Sequence, residues 1–320
     1  MKKILVTGAG GFVGGHLVKE LLNRGFEVRA VDIKKIEEWF QLSSNIENFS
    51  LDMSIKENCF KMVDGVEGVI NMACNMGGMG FIENNKALCM LSVLVNTHML
   101  LACKEFKIKK YFFSSSACAY NKDLQNDTSI TGLKEADAYP ANPEDGYGWE
   151  KLFSERMCRH FTEDFGLPTR VIRYHNVYGP RMGFKHVIPQ VTQRYLDHEA
   201  PFKIFGFDQT RSFNYIDDAV MGTVLAMESD NTNGEIFHIG NMREEIKIEE
   251  LVRFIGEQLG YNGEYSKVGA PSGSVNRRCP DTTKAEQMLN YQPQISWREG
   301  VQRTVDWYVE YLKEGKNVFE

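Results

Sequence analysis

The chain has no C-x-x-C pair, and its seven cysteines (Cys59, Cys74, Cys89, Cys103, Cys118, Cys158 and Cys279) are odd in number and scattered. That spacing excludes a zinc ribbon or a disulfide framework, and it reads as reduced thiols in a cytoplasmic protein. Positive charge is not in excess either. Lys and Arg number 37 against 43 Asp and Glu, a net charge of −6, so no nucleic-acid or anionic-membrane partner is expected. Repeats, linkers and low-complexity tracts are lacking. The stretch "MKKILVTGAGG" is too briefly apolar for the core of a signal peptide, and no run reads as a transmembrane span. His16, His98, His160, His175, His198 and His238 show no ligand spacing, so no metal is expected.

What is present is an alternation of short apolar runs with helical patterns. "KKILVTG" has the continuous hydrophobicity of a buried parallel strand. "GFVGGHLVKELLNRG" follows with helical spacing and a terminating glycine. "EVRAVD", "NFSLDM", "GVIN" and "KKYFFSSS" read as further strands, with a long helix over 86–106 between the last two. This order predicts βαβ units in an α/β fold, a Rossmann-type doubly wound parallel sheet. "YGWEKLFSERMCRHFTEDFG" reads as a helix and "TRVIRYHN" as a strand. Beyond residue 177 the pattern loosens. The expected division is a dinucleotide-binding domain over 1–176, to which parts of 209–228 return, and a smaller α/β substrate lobe over 177–320.

Between the first strand and its helix stand Gly8, Gly11 and Gly14, spaced G-x-x-G-x-x-G. The pattern suits a tight turn, close backbone approach to a pyrophosphate, and first-turn amides (Phe12, Val13, Gly14) facing negative charge. Asp32 ends the second strand, where a carboxylate can accept the adenosine ribose hydroxyls and would repel a 2′-phosphate. The cofactor read from these residues is NAD.

Tyr147 and Lys151 stand at i and i+4 and share a helix face. An ammonium beside a phenol stabilises the phenolate and is expected to lower its pKa from about 10 toward neutrality. Such a pair can take a proton from a sugar hydroxyl as hydride leaves the same carbon, with a serine from "SSSACAY" orienting that hydroxyl. In the same stretch Cys118 is either space-filling or a reactive thiol.

In this order, G-x-x-G-x-x-G, "FSSSACAY" and Tyr-x-x-x-Lys resemble the extended short-chain dehydrogenase/reductase family of nucleotide-sugar epimerases and dehydratases. "NVYGPR" (176–181), "QTRSFNYIDD" (209–218) and "RRCPDTTKAEQML" (277–289) extend the resemblance over nearly the whole chain. It implies Ser116, Tyr147 and Lys151 as the catalytic set, Asp52 with Met53 as the adenine contact, and a nucleotide-diphosphate sugar as substrate. Cys118 stands two places past the catalytic serine, where the family selects its chemistry. With "NMGGMGFIENN" and "RYHNVYGP" it is most similar to the branch that epimerises a GDP-linked hexose at carbons 3 and 5 through a 4-keto sugar. That branch implies Cys118 as base, tuned by a nearby cation, with Gly77, Gly78, Met79 and Ala117 against the sugar. The opposing acid falls on "GPRMGFKHVIP", a loop about five residues shorter than the family's, and is Lys185 or its neighbour His186. Arg211 and Arg278 match positions that grip the diphosphate, and Asn176 and Gln209 match sugar or phosphate contacts. By the same analogy the 86–106 helix and the Tyr147 helix pair with a second copy in a homodimer. A plain 4-epimerase, and more remotely a non-catalytic NAD-binding regulator, are the alternatives.

Overall fold

The structure, a computed structural model, describes residues 2–126, 132–270 and 273–314. The strands with continuous apolar runs form the sheet. β1 (Lys3–Thr7), β2 (Glu27–Asp32), β3 (Glu47–Ser50), β4 (Gly68–Asn71), β5 (Lys110–Ser116) and β6 (Thr169–Tyr174) are joined by an edge strand, Glu235–Ile239. All seven run parallel, in the order edge–β6–β5–β4–β1–β2–β3. The order reverses at β1, which lies between β2 and β4, so the crevice for a ligand opens at the carboxyl ends of β1 and β4. There Thr7 Oγ1 donates to Asn71 Oδ1 at 2.8 Å and accepts the amides of Met72 and Ala73. These bonds pin the two strand ends together.

Helices cover both faces: α1 (Phe12–Asn23), α2 (Lys56–Val63), the short α3 (Met79–Asn84) and α4 (Lys86–Leu91), α5 (Val93–Glu105) and α6 (Tyr147–Phe165). The helix expected over 86–106 is broken at Ser92, whose hydroxyl accepts the Asn75 amide at 2.8 Å. Contrary to the reading of the sequence, the 20-residue stretch Lys86–Glu105 is long and apolar enough to cross a membrane by length and composition. Its apolarity has a packing cause, because one face is buried among α2 and α6 in the core.

The return of the chain to the sheet extends past residue 228. α7 (Val187–Leu196) belongs to the lobe, α8 (Ile216–Glu228) packs on α1, and the edge strand then adds beside β6. The lobe's small sheets pair Phe202–Phe205 with Tyr265–Val268, and Thr210–Ser212 with Glu245–Lys247 and Arg277–Arg278.

Candidate active site

β5 outruns its neighbour. Asn71 of β4 pairs with Phe113, and beyond it Ser114, Ser115 and Ser116 pair only with Ile172, Arg173 and Tyr174 of β6. The serines therefore stand at the open edge of the crevice. Ser115 is fixed from behind, donating to buried Glu155, which Arg173 holds through two bonds of 2.8 and 2.7 Å. Ser116 faces the other way. Its Oγ accepts the Cys118 amide at 3.2 Å and caps the short turn Ala117–Ala119, and that turn buries the Cys118 side chain against Tyr147, Cys89 and Ile82.

Tyr147 begins α6, and Lys151 lies one turn on with its Nζ 5.3 Å from the Tyr147 ring centre and 3.4 Å from Glu150. The pair is assembled as the spacing predicts, but its electrostatics differ. Burial, with the Cys74 and Cys118 thiols next, holds the Tyr147 hydroxyl well above the ordinary phenol range. The expected lowering by the ammonium fails because both groups are buried and Glu150 shares the cation. Burial works to lower Lys151, yet Cys74 and Glu150 outweigh it and the net shift is upward. Cys74, whose thiol lies beside both residues, escaped the sequence reading because no pattern marks it.

Cys118 needs a second correction. Burial first, and the Glu144 carboxylate second, push its thiol up to about 12, against the pull of Arg278. The tuning cation exists: Arg278 Nη1 lies 4.0 Å from the Cys118 sulfur. It does not dominate, because the same guanidinium is ion-paired with Glu144 and donates from Nε to Gln125 Oε1 at 2.9 Å. Arg278 thus stands beside the thiol with its charge already matched.

Arg211 is different. In register with Arg278 on the adjacent strand, it donates to five oxygens, all neutral: the main-chain carbonyls of Thr210, Val275 and Asn276, Gln209 Oε1 and Ser274 Oγ. Burial first, and Arg278 next, lower it to about 9. A buried cation served only by neutral acceptors gains most from an anionic ligand. Asn176 is a strut, donating to the Ser212 carbonyl at 2.8 Å.

The loop before α3 meets the loop before α7. A Cβ on Gly78 would lie 2.3 Å from the Lys185 carbonyl oxygen, so these segments touch through bare backbone. Gly77 lies in the same loop. Met79 starts α3, and its side chain lies outside the described residues. The Lys185 side chain is exposed, whereas burial lowers His186 below the ordinary imidazole range.

At the carboxyl end of β1 a Cβ on Gly14 would lie 2.1 Å from the Gly8 carbonyl oxygen, so α1 starts against the glycine turn. No side chain caps α1 and its first turn carries no acid, which leaves that helix end suited to a pyrophosphate. Asp32 is anchored by the amides of Gly10 and Lys34, both at 3.0 Å. Asp52 accepts the Ser54 amide, and Met53 is buried at the next strand end. These residues fit a dinucleotide. Residues 4–240 match the family model described as NAD dependent epimerase/dehydratase.

The chain belongs to that family.

As an epimerase/dehydratase it is an enzyme and its cofactor is NAD. Over 320 residues it is 35% identical to GDP-mannose 3,5-epimerase 1 of Oryza sativa subsp. japonica, covering 98% of this chain and 83% of that one. Among solved structures it is similar to UDP-glucose 4-epimerase of Thermotoga maritima with UDP-glucose. That match has 29% identity and a TM-score of 0.86, over 97% and 99% of the two chains. It is also similar to UDP-glucuronic acid 4-epimerase of Bacillus cereus in complex with UDP-glucuronic acid and NAD. There the identity is 27% and the TM-score 0.84, over 96% and 99%. The epimerase/dehydratase fold thus carries several sugar chemistries, and the residues around the sugar must decide among them.

Proposed function

We propose that this enzyme epimerises a nucleotide-diphosphate sugar, GDP-mannose or a related GDP-sugar, at carbons 3 and/or 5 through a transient 4-keto sugar. The observation that carries this reading is the Cys118 thiol packed against Tyr147, a second proton-transfer group beside the pair that handles carbon 4. Identity with the rice epimerase supports it.

Tyr147 takes the proton of the 4-hydroxyl, which Ser116 orients, and Lys151 holds positive charge beside the phenol. NAD, which the Gly8–Gly14 turn and Asp32 would hold, would supply reversible hydride acceptance at carbon 4 and so would not be consumed. Oxidation makes carbon 4 a ketone, which acidifies the hydrogens on carbons 3 and 5. Cys118 on one face and Lys185 or His186 on the other then exchange a proton at the neighbouring carbon. Arg211 holds the diphosphate. With its thiol pushed up to about 12, Cys118 is suited to give a proton. To take one, it needs Arg278 released from Glu144.

The test is incubation of the NAD-loaded enzyme with GDP-mannose in heavy water. Deuterium is expected at carbon 5 or 3. Because the thiol's pKa is raised, exchange that depends on its thiolate is expected to quicken as pH rises. Cys118→Ala should abolish exchange and still show transient reduction of the cofactor. The rival reading, inversion at carbon 4 with Cys118 as packing, is favoured by the depth of the thiol's burial. It prevails if carbon 4 inverts and the neighbours stay protiated.

The enzyme's second copy is proposed to dock on α4, α5 and α6. Leu88, Leu91, Leu94, Trp149 and Phe153 are exposed there at 40–57%, an apolar face wide enough to need cover. The wild type should sediment as a dimer and Phe153→Glu as a monomer. A monomeric wild type at micromolar concentration would refute this.

A further inference from the structure

Glu144, on the loop entering α6, was not singled out by any motif. It is buried, its amide donates to the Cys118 carbonyl at 3.1 Å, and one carboxylate oxygen pairs with Arg278. Its other oxygen, Oε2, is buried without a hydrogen-bond partner among the described residues. So is Nε2 of Gln125, whose Oε1 receives Arg278 Nε. Both side chains are more than nine-tenths buried. Leaving such groups unmatched is costly, and native proteins retain them chiefly where a ligand completes them. An acceptor from Glu144 and a donor from Gln125, both on residues bonded to one guanidinium beside Cys118, match the acceptor and donor capacity of a sugar hydroxyl.

We propose that Glu144 is a specificity-determining residue of the sugar pocket, accepting a hydroxyl of the hexose through its free oxygen and rejecting sugars that carry a carboxylate at carbon 6. The proposal rests on the reading of the substrate above. With carbon 4 at Tyr147 and Cys118 working at carbon 5, the placement this proposal adopts, the substituent on carbon 5 falls beside Glu144. A 6-hydroxymethyl group can donate to the carboxylate there. A uronate places a second negative charge against it; Arg278 is already paired with Glu144, and Arg211 on the adjacent strand is the cation this reading assigns to the diphosphate. Juxtaposed like charges in a buried site weaken binding strongly. The known structure with UDP-glucuronic acid shows that this fold can carry uronate ligands, so rejection must come from local residues.

The experiment compares GDP-mannose with GDP-mannuronate, which differ only at carbon 6, by calorimetry on the NAD-loaded enzyme. Wild type is expected to bind the neutral sugar at least about 30-fold more tightly, consistent with like-charge repulsion. Glu144→Gln, which keeps the shape and removes the charge, should bring the two affinities within about threefold, through tighter binding of the uronate. Glu144→Asp keeps the charge and should keep most of the preference. A residue that only supports the fold would weaken both ligands equally in Glu144→Gln. An unchanged ratio in that variant, or equal affinities in wild type, overturns the proposal and leaves the epimerase reading intact. Binding of neither sugar overturns the GDP-sugar reading, and the proposal with it.

Discussion

Tyr147→Phe is expected to lower turnover of the nucleotide sugar by about 10²–10⁴-fold, the range that a positioned proton-transfer group supplies. The ring packs with Cys118, Cys89 and Ile82, and phenylalanine preserves that packing, so melting and NAD content should stay at wild-type values. Single-turnover measurement with GDP-mannose should lose reduction of the cofactor, which separates this variant from Cys118→Ala, where reduction persists. Burial holds the hydroxyl well above the ordinary phenol range, so its action as a base calls for the ammonium of Lys151 to be drawn toward it from Glu150. Turnover within tenfold of wild type in Tyr147→Phe would move the proton acceptor to another group, such as the neighbouring Cys74.

The second large effect concerns stability. Arg173→Met removes the guanidinium that pairs with Glu155, donates to the Glu135 carbonyl at 2.7 Å and lies 4.9 Å from the Tyr120 ring centre. Both partners are almost wholly buried, with side chains 1% and 2% exposed. Removing one leaves the other charge uncompensated, at a cost of about 3–5 kcal/mol. For a chain of this size that corresponds to a fall in melting temperature on the order of 10 °C, measurable by calorimetry. The double variant Arg173→Met with Glu155→Leu should recover most of the loss, because no lone charge remains. A single variant within 1 kcal/mol of wild type would mean that water reaches Glu155. The pair matters to the site because Glu155 also receives Ser115, next to Ser116, which is proposed to orient the substrate.

The residues that could be read from the sequence are those whose chemistry is local. Gly8, Gly11 and Gly14 declare themselves by spacing because one turn and one helix end need them. Tyr147 and Lys151 do so because four residues make a helical turn. The apolar runs of the parallel strands were legible for the same reason, being buried on both faces. Burial itself was not legible. The spacing of Tyr147 and Lys151 shows a cation near a phenol but not the dry surroundings that reverse the direction of the shift. Nor could Arg278 be placed. Its partners Gln125 and Glu144 lie 153 and 134 positions away, and only the closed fold brings this residue beside the Cys118 thiol. Arg211 was matched to the diphosphate by motif, and its lack of an acidic partner among the described residues adds a physical reason that no motif contains.

Gly78 and Lys185 meet with no side chain of Gly78 between them. Rigid backbone transmits displacement where flexible side chains would absorb it. A displacement of the 72–78 loop is therefore expected to be felt by the chain at 185–186, so the two walls of the crevice are mechanically coupled at this contact.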